Sequence, residues 1–337
     1  MRAIVNARGE LMLVTGATGF VGSAVVRTLL DAGQRVRALV RATSRLDNLR
    51  GLDIETVTGD LCAPETLRAA VRGCRGVFHV AADYRMWTRR PSEIYATNVR
   101  GSRNLLLAAA RAGVQRMVYT SSVATLGTTR DGSPADEETS ASYEDMIGHY
   151  KRSKFLAERK VRALAKIHEL DVVIVNPAAP VGPRDIKPTP TGRMILDAAR
   201  GRMPAYVDTG LDIVHVDDVA SGHWLAYQRG TRARRYILGG ENLTLREILT
   251  RVAAISGHRP PRWRLPQGAV LPVARIAETW ARFSGREPLI TVAGVELSRK
   301  RMFFSHARAA RELGYAPRPA QAALEDAVKW FDANGYA

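Results

Sequence analysis

The stretch that decides the fold is Leu11-Met12-Leu13-Val14-Thr15-Gly16-Ala17-Thr18-Gly19-Phe20-Val21-Gly22. Its apolar first half predicts a buried strand, and the glycines that follow predict a tight turn that leads into a helix. Gly16 permits the turn, Gly19 lets a pyrophosphate approach the backbone, and Gly22 lets the helix pack closely on the strand. The anion would lie at the positive end of the helix dipole. We therefore expect a dinucleotide site formed by Thr15, Gly16, Thr18, Gly19, Phe20, Val21 and Gly22.

Short strands alternate with longer helices from this stretch to residue 177. Strands are predicted at residues 11–15, 35–40, 54–58, 76–80, 116–120 and 172–175. Helices are predicted at residues 19–32, 64–72, 92–112 and 148–167. Six strands joined by right-handed crossovers give an α/β fold with a doubly wound parallel (Rossmann) sheet.

Beyond residue 177 the alternation stops, and proline and glycine predict a long ordered loop over residues 178–192. Helices are predicted near residues 193–200, 245–255, 269–282 and 321–331, and strands near 212–216 and 235–238. We therefore assign residues 11–177 to a dinucleotide-binding domain, to which residues 212–228 return. Residues 178–337 are assigned mainly to a smaller, mostly helical lobe that binds the substrate.

The composition excludes a disordered or fibrous protein, because 46% of the 337 residues are hydrophobic and 25% are charged. The net charge is +17, but only seven of the 50 basic residues are lysines and no dense basic block occurs, so we expect no nucleic-acid partner. Residues 1–10 lack the apolar core of a signal peptide, which predicts a cytoplasmic protein. The spacing of Cys62 and Cys74 predicts neither a disulfide framework nor a metal site.

The end of the second predicted strand bears on the choice of dinucleotide. A site for NAD places an acidic residue there, which accepts hydrogen bonds from the ribose 2′-hydroxyl. None occurs between Gln34 and Leu46, whereas Arg37, Arg41 and Arg45 do. A guanidinium suits a 2′-phosphate because it forms bidentate hydrogen bonds. Arg37 and Arg41 therefore predict NADP, with NAD as the alternative.

The ends of the third and fourth predicted strands would border the same dinucleotide. Asp60 and Leu61 follow the third strand, and the Asp60 carboxylate would either accept from the adenine amino group or cap a turn. Ala81 and Ala82 follow the fourth strand, where small side chains would let the nicotinamide ribose approach. His79 falls inside that apolar strand and is predicted to pack there.

A third group of residues predicts acid/base chemistry. Tyr150 and Lys154 are four residues apart and share one face of a predicted helix. A nearby ammonium favours the phenolate, so that Tyr150 can exchange a proton with a carbinol or carbonyl oxygen. Ser122, at the end of the fifth strand, would hold that oxygen by a hydrogen bond, and Ser121 is the fallback for this role.

With these motifs the chain resembles the extended short-chain dehydrogenase/reductase family over nearly its whole length. The shared motifs lie at residues 15–22, 59–61, 79–82, 120–122, 176–177 and 215–218, together with the Tyr/Lys pair. The resemblance implies a catalytic tetrad of Asn98, Ser122, Tyr150 and Lys154. It also implies cofactor contacts at Tyr150, Lys154 and Pro177, with Lys154 on the nicotinamide ribose. A homodimer is implied too, because many relatives pair through the helices that carry Asn98 and Tyr150.

Residues 81–87 and 176–192 resemble the bacterial hopanoid-associated sugar epimerases, which are related to dihydroflavonol 4-reductases and nucleotide-sugar epimerases. Two features depart from the sugar-epimerase pattern: Asn176 stands where an arginine often precedes the proline, and the second strand ends in basic residues. We therefore expect an NADP-dependent oxidoreductase in hopanoid-related metabolism. A nucleotide-sugar epimerase that works through a transient keto intermediate is the alternative. A non-catalytic NADP sensor is less favoured, since sensors typically lose the tyrosine or the lysine.

The substrate is expected to be a small carbonyl compound, sugar or polyol. Tyr84 and Trp87 fall where family substrates lie, Ser122 would contact the reacting oxygen, and Arg184 and Lys187 would meet a diphosphate. A loop packed on itself, with solvated charges, is the alternative for the residues outside the catalytic group.

A helix near residues 271–283 carries Trp280 and Phe283. We predict that it lies in the core of the C-terminal lobe. Peripheral contact of this helix with membrane lipid is the alternative.

Overall fold

A computed structural model of the protein describes residues 9–129, 131–284, 288 and 291–336. The strands are, in chain order, β1 Leu11–Thr15, β2 Arg35–Val40, β3 Glu55–Thr58, β4 Gly76–His79, β5 Arg116–Thr120, β6 Asp171–Pro177, β7 Ala179–Val181, β8 Ala205–Val207, β9 Gly210–His215, β10 Arg235–Leu238, β11 Glu241–Thr244, β12 Trp263–Leu265 and β13 Arg301–Met302. Residues 1–8, which belong to the segment where we expected no signal peptide, lie outside the described ranges.

The α-helices connect and cover these strands. They are α1 Phe20–Asp31, α2 Pro64–Val71, α3 Pro91–Tyr95, α4 Ser102–Arg111, α5 Gly148–Ile167, α6 Pro190–Ala199, α7 Val216–Arg229, α8 Leu245–Ser256, α9 Gln267–Ser284, α10 Val292–Leu297, α11 Ala307–Leu313 and α12 Ala320–Ala333. A π-helical segment, Ala96–Gly101, joins α3 to α4.

Seven strands form one parallel sheet in the order β10-β6-β5-β4-β1-β2-β3. Thr15 of β1 pairs with Leu39 of β2 on one side and with His79 of β4 on the other. The chain order reverses between β1 and β4, which opens a crevice at their carboxyl ends. The doubly wound Rossmann sheet is thus confirmed. We predicted six strands in it, and β10 adds a seventh beside β6.

Helices cover both faces of the sheet, as its largely apolar strands require. On one face α1 packs beside α7, with Val25 and Val219 in a common apolar core. On the other face α2, α4 and α5 form a second core that includes Leu105 and Ala157. The two cores hold the strands rigidly, so the residues just after the strand ends have fixed positions around the crevice.

Residues beyond 177 contribute to both parts of the molecule. α7 packs on the parallel sheet through Val219 and Ala220, and α11 joins the same core through Leu313. β9, in contrast, belongs to a smaller sheet in the order β11-β9-β13, in which β7 also pairs with β9. α7, β10 and α11 therefore return to the parallel sheet, and β9 contributes Val214 to the same core although it pairs within the smaller sheet.

The smaller sheet, α6, α8 and α12 enclose a separate apolar core around Ile195, Ile248 and Phe331. α6 begins at residue 190, earlier than the predicted 193, because proline is favoured in the first helical turn and Thr189 caps the helix. Thr189 Oγ1 accepts a hydrogen bond from the Gly192 amide at 3.1 Å. The loop predicted over residues 178–192 is therefore shorter than expected, because β7 occupies residues 179–181 and α6 begins at residue 190.

α9 presents its large apolar side chains outward, which corrects our expectation that this helix lies in the core of the lobe. Trp280 is 71% exposed and Phe283 is 83% exposed, whereas the small Ala274 and Ala281 are buried. An apolar period in the sequence does not tell which face of a helix packs inward. Within the described ranges, no helix is both long and apolar enough to cross a membrane.

A buried carboxyl group in the smaller sheet makes stability depend on pH. Asp212 of β9 is 1% exposed, its Oδ1 accepts from the Gly240 amide at 2.7 Å, and no described group partners its Oδ2. Burial raises the pKa of Asp212 to about 7. The native state therefore binds this proton more tightly than the unfolded chain does. Stability that is present at low pH is lost as the pH rises from about 4 to about 7.

Replacing Asp212 by Asn keeps an acceptor for the Gly240 amide and removes the buried charge. We expect the free energy of unfolding of D212N to exceed that of the wild type by up to a few kcal/mol above about pH 7. The difference should shrink as the pH falls toward about 4. Urea denaturation across this range measures it, and a difference that is independent of pH would contradict the raised pKa.

Candidate active site and cofactor crevice

The glycine turn lies between β1 and α1, at the carboxyl end of the sheet. Gly16 has φ +71°, and a Cβ at this position would lie 2.7 Å from Ala81 Cα. A Cβ at Gly22 would lie 2.0 Å from the Gly16 carbonyl oxygen, so the first turn of α1 packs directly on the loop. Both positions therefore require glycine. Thr15 Oγ1 accepts from the Ala81 amide at 3.2 Å and ties the turn to the end of β4.

The start of α1 can receive an anion. Its N-cap is Gly19, no described side chain caps its amides, and its first turn carries no acidic residue. Gly19 is exposed, and Thr18, Phe20 and Val21 are half-buried. An added Cβ at Gly19 would meet only the Gly16 oxygen, at 3.2 Å, so the space in front of it is open to a ligand. These features fit the pyrophosphate of a dinucleotide.

The two arginines predicted to hold a 2′-phosphate lie apart. Arg41 directly follows the carboxyl end of β2, with an exposed side chain for which the described part of the chain offers no partner. Arg37 lies in the middle of β2, where Nε donates to Glu55 Oε2 at 3.0 Å and Nη1 to the Arg72 carbonyl oxygen at 2.7 Å. This placement corrects our prediction for Arg37, because its guanidinium pairs with Glu55 and binds the carbonyl oxygens at the C-terminal end of α2.

The ends of β3 and β4 carry the other predicted cofactor contacts. Asp60 Oδ1 accepts from the Cys62 amide at 2.7 Å, which is the turn-capping alternative. This bond occupies one carboxylate oxygen of Asp60. Leu61 is buried beside it, and Ala81 and Ala82 are half-buried next to the glycine turn.

The His79 side chain is buried inside the sheet. Nδ1 is hydrogen-bonded to Thr15 Oγ1 at 2.8 Å and Nε2 to Ser102 Oγ at 2.9 Å. Burial lowers the pKa of His79 to about 3, so its ring is neutral. The sequence-based prediction that this residue packs agrees with its contacts.

Ser122 and Tyr150 are neighbours at the carboxyl end of β5. Ser122 caps a short 3₁₀ turn, and its Oγ accepts from the Ala124 amide at 3.1 Å. Tyr150 lies in the first turn of α5. Burial raises the pKa of Tyr150, and the neighbouring Ser122 side chain opposes this shift. The phenol and the hydroxyl are therefore neighbours, and both could act on the same substrate oxygen.

Lys154 lies one helical turn after Tyr150 and is 3% exposed. Its Nζ donates to the Thr120 carbonyl oxygen at 2.7 Å and lies 4.9 Å from the centroid of the Tyr119 ring. Burial lowers the pKa of Lys154 to about 8, while the Glu158 carboxylate acts in the opposite direction. The ammonium is thus largely charged at neutral pH and is fixed at the end of β5.

Asn98 occupies the π-helical segment between α3 and α4. Its Nδ2 donates to the Asp83 carbonyl oxygen and to Ser153 Oγ, each at 2.9 Å, and its Oδ1 accepts from the Asp83 amide at 2.7 Å. π-Helical segments inserted between α-helices are frequent at functional sites. The Asn98 side chain links the loop after β4 to α5, and no described contact joins it to Tyr150.

A buried carboxylate beneath this group escaped sequence reasoning. Glu158 is 5% exposed and accepts from Ser121 Oγ at 2.5 Å and from Asn176 Nδ2 at 3.3 Å. Ser121, our fallback for Ser122, is therefore a buried partner of Glu158. The signal that could have found Glu158 is its spacing, because it continues the Tyr150 and Lys154 face by one further turn.

Asn176 supports the same end of the sheet from β6. Its Nδ2 donates to the Ser122 carbonyl oxygen at 3.0 Å. Its Oδ1 is buried and has no partner in the part of the chain that the structure describes. Pro177, the predicted cofactor contact that follows it, is buried at the end of β6.

The loop after β4 carries two predicted substrate contacts. Tyr84 is 41% exposed, and Trp87 is half-buried. The base of this loop is fixed because Asp83 is held on both its amide and its carbonyl by Asn98. Two aromatic side chains therefore lie on an anchored loop that adjoins the catalytic candidates.

Arg184 and Lys187 are placed differently from Tyr84 and Trp87. Asn48 Nδ2 donates to the carbonyl oxygens of Thr18 and Arg184, at 3.3 and 3.2 Å, so Arg184 lies beside the glycine turn. Its guanidinium pairs with Asp217. Lys187 is exposed. No described contact joins either residue to Tyr150.

A family model described as "NAD dependent epimerase/dehydratase family" matches residues 12–239. The chain is 46% identical over 334 residues to "Putative dihydroflavonol 4-reductase" of Synechocystis sp., a match that covers 98% of this chain and 97% of that protein. It is 38% identical over 325 residues to "Sterol demethylase protein B" of Methylococcus capsulatus, covering 96% and 98% of the two chains.

Among solved structures, the crystal structure of gox2253 is 53% identical and superposes with a TM-score of 0.88 over 97% of this chain and 99% of that one. A family match over most of the chain and relatives of this identity and coverage establish the class. The chain belongs to the NAD dependent epimerase/dehydratase family of extended short-chain dehydrogenases/reductases, and it is an enzyme of this NAD(P)-dependent class.

Proposed function

We propose that the protein is an NADP-dependent oxidoreductase that moves a hydride between nicotinamide and the carbon of a carbonyl or secondary alcohol. The observation that carries this proposal is the placement of Tyr150 near Ser122 at the end of β5, one helical turn before the buried Lys154, whose Nζ is fixed on the Thr120 carbonyl oxygen. In this proposal Gly19 and the first amides of α1 hold the pyrophosphate, and Arg41 contacts the 2′-phosphate. Ala81 and Ala82 border the nicotinamide ribose.

The proposed mechanism assigns one task to each residue of the group. Bound nicotinamide would supply or accept the hydride. Ser122 would orient the substrate oxygen, and Tyr150 would exchange a proton with that oxygen. Lys154 would favour the phenolate by its positive charge on the same helix face. Asn98 would keep the loop after β4 docked on α5, and it is a positioning residue.

The substrate we favour carries its carbonyl or hydroxyl group on an apolar ring system of hopanoid-related metabolism. The sequence resemblance of residues 81–87 and 176–192 supports this choice. So does the relative named sterol demethylase protein B, which matches over nearly the full chain. The aromatic side chains of Tyr84 and Trp87 suit an apolar ring better than a charged diphosphate.

An epimerase is the second candidate, because the family description includes epimerases and the same residues would serve. Epimerisation removes a hydride and returns it to the opposite face, so no nicotinamide is consumed. The purified enzyme should be assayed with NADPH against sterol ketones and UDP-sugars, and copurifying small molecules should be identified by mass spectrometry. Stoichiometric NADPH oxidation supports the reductase, isomerised product without net oxidation supports the epimerase, and NADPH binding without turnover would indicate a sensor.

The homodimer contact is proposed on α3, α4 and α5. Tyr95, Val99 and Leu156 line a surface hollow where these helices meet. Such a partly apolar hollow suits the self-complementary face of a two-fold dimer.

Cofactor preference tests the role given to Arg41. Replacing Arg41 by Gln removes the charge beside the proposed 2′-phosphate, so the Kd for NADPH should rise about tenfold to a hundredfold. The Kd for NADH should change little, because NADH carries no 2′-phosphate. Fluorescence titration of both nucleotides measures the effect.

Arg45→Gln is the matched control, because Arg45 lies in the same segment but pairs with Asp47. It should leave both affinities close to those of the wild type. An equal loss of NADPH and NADH affinity in the Arg41 variant would argue against a 2′-phosphate contact.

A further inference from the structure

The outer face of α9 is an exposed apolar strip. Val273, Ile276, Trp280 and Phe283 follow one another at spacings of three, four and three residues, so they share one face of the helix. Their exposed fractions run from 54% to 83%. Among the described side chains of α9, the fully buried ones are the small Ala274 and Ala281, so these four large side chains lie on the side of the helix that faces away from the lobe.

A second exposed apolar group adjoins the start of α9. Trp263 is 72% exposed and Leu265 is 43% exposed, and both lie on β12, which ends two residues before α9 begins. Of the large hydrophobic side chains exposed in the described residues, most belong to this segment between residues 263 and 283. We call the outer side of β12 and α9 the apolar strip.

Basic side chains surround the apolar strip. Arg259, Arg262, Arg264, Arg275, Arg299 and Arg301 are exposed. Asp208 pairs with both Arg264 and Arg301, so one carboxylate is shared between two cations. A surface cavity of about 310 Å³ at the start of α9 is lined by Asp208, Arg264, Arg299 and Arg301. These exposed arginines would suit a partner that presents anionic groups next to an apolar phase.

We propose that the apolar strip docks on an anionic lipid bilayer. Trp280 and Phe283 would enter the boundary between headgroups and acyl chains, and the surrounding arginines would contact lipid phosphates. Apolar area and positive charge each contribute to such binding. A second copy of the chain suits this face poorly, because a two-fold contact would bring the two basic surrounds together.

Docking of the apolar strip would bring the bilayer near the catalytic candidates. Arg89 Nη2 donates to the Ala281 carbonyl oxygen at 3.4 Å, which links α9 to the loop that carries Tyr84 and Trp87. On the other side, an added Cβ at Gly148, two residues before Tyr150, would lie 3.3 Å from Ala293 Cβ of α10. α9 and α10 pack on each other. The helix that would meet the lipid is therefore in contact with the loop that carries Tyr84 and Trp87, and through α10 with the start of α5.

Vesicle flotation with the full-length protein tests this proposal. The wild type should float with vesicles of phosphatidylcholine and phosphatidylglycerol, and much less with phosphatidylcholine alone or at high salt. The double variant Trp280→Ser, Phe283→Ser should lose at least about tenfold in affinity for the mixed vesicles, because two apolar side chains no longer leave water. Its NADPH affinity should equal that of the wild type, which shows that the fold is intact.

Ile167→Ser is the matched control, because Ile167 is 69% exposed at the far end of α5. It should bind the vesicles as the wild type does. Equal flotation of the wild type and the double variant would overturn the proposal, as would failure of the wild type to float. Light scattering that shows a wild-type oligomer dissociated by the double substitution would also overturn it, since a protein copy would then cover the strip.

Discussion

Replacing Tyr150 by Phe is expected to lower kcat by at least about a hundredfold, because the ring keeps its packing while the exchangeable proton is lost. The Kd for NADPH should change by less than about tenfold, since the glycine turn and Arg41 carry most of the proposed contacts with the nucleotide. Steady-state kinetics with a substrate found in the carbonyl assay, together with fluorescence titration of NADPH, would measure the two effects separately.

Tyr143→Phe is the control for this substitution. Tyr143 is 37% exposed, lies before α5 with its ring under the Arg152 guanidinium, and has no role in the proposed proton transfer. It should retain the kcat of the wild type. A Tyr150→Phe enzyme with unchanged kcat would refute the assignment of the phenol as the acid/base group.

Replacing Gly22 by Ala should abolish tight cofactor binding. The new methyl group would lie 2.0 Å from the Gly16 carbonyl oxygen, a backbone atom that cannot rotate away, so α1 must shift from the turn. The amides that would hold the pyrophosphate move with it. We expect a rise of at least about a hundredfold in the Kd for NADPH and a loss of about 1–3 kcal/mol in the free energy of unfolding.

Gly268→Ala is the matched control, because a Cβ there meets no described atom within 4 Å and Gly268 lies in the first turn of α9. Its stability should equal or slightly exceed that of the wild type, since alanine is the better helix former. Titration and urea denaturation of both variants make the comparison. Wild-type NADPH affinity in the Gly22 variant would show that the turn does not hold the nucleotide as proposed.

Much of the fold could be predicted because strands and crossover helices leave strong local patterns. The predicted limits of β1, β2, β5, β10 and α5 agree with the structure to the residue. The grouping of Ser122, Tyr150 and Lys154 could also be predicted, because parallel strands place their carboxyl ends at one edge and the pair lies on one helix face. The family was recognisable from the same motifs.

What could not be predicted depends on contacts between distant residues. Arg37 and Arg41 look alike in the sequence, but only the fold shows that Arg37 meets Glu55 and the end of α2. Asn98 lies in a π-helical segment and bonds the Asp83 carbonyl oxygen. The sequence predicted one regular helix over residues 92–112, so it gave no sign of this segment. The sequence likewise did not show that α9 packs on the lobe through Ala274 and Ala281 and leaves Trp280 and Phe283 exposed.

The late strand β10 has a consequence for how the protein folds during synthesis. β10 pairs with β6 across about 60 intervening residues, and the core on one face of the sheet includes α7, Leu313 and Tyr315. In a nascent chain that has reached only Pro177, α1 alone would cover this face, although all the nucleotide motifs have been made. The core around the parallel sheet is therefore completed only after α7, β10 and residues 307–315 have been made, so its folding depends on contacts that are distant in the sequence.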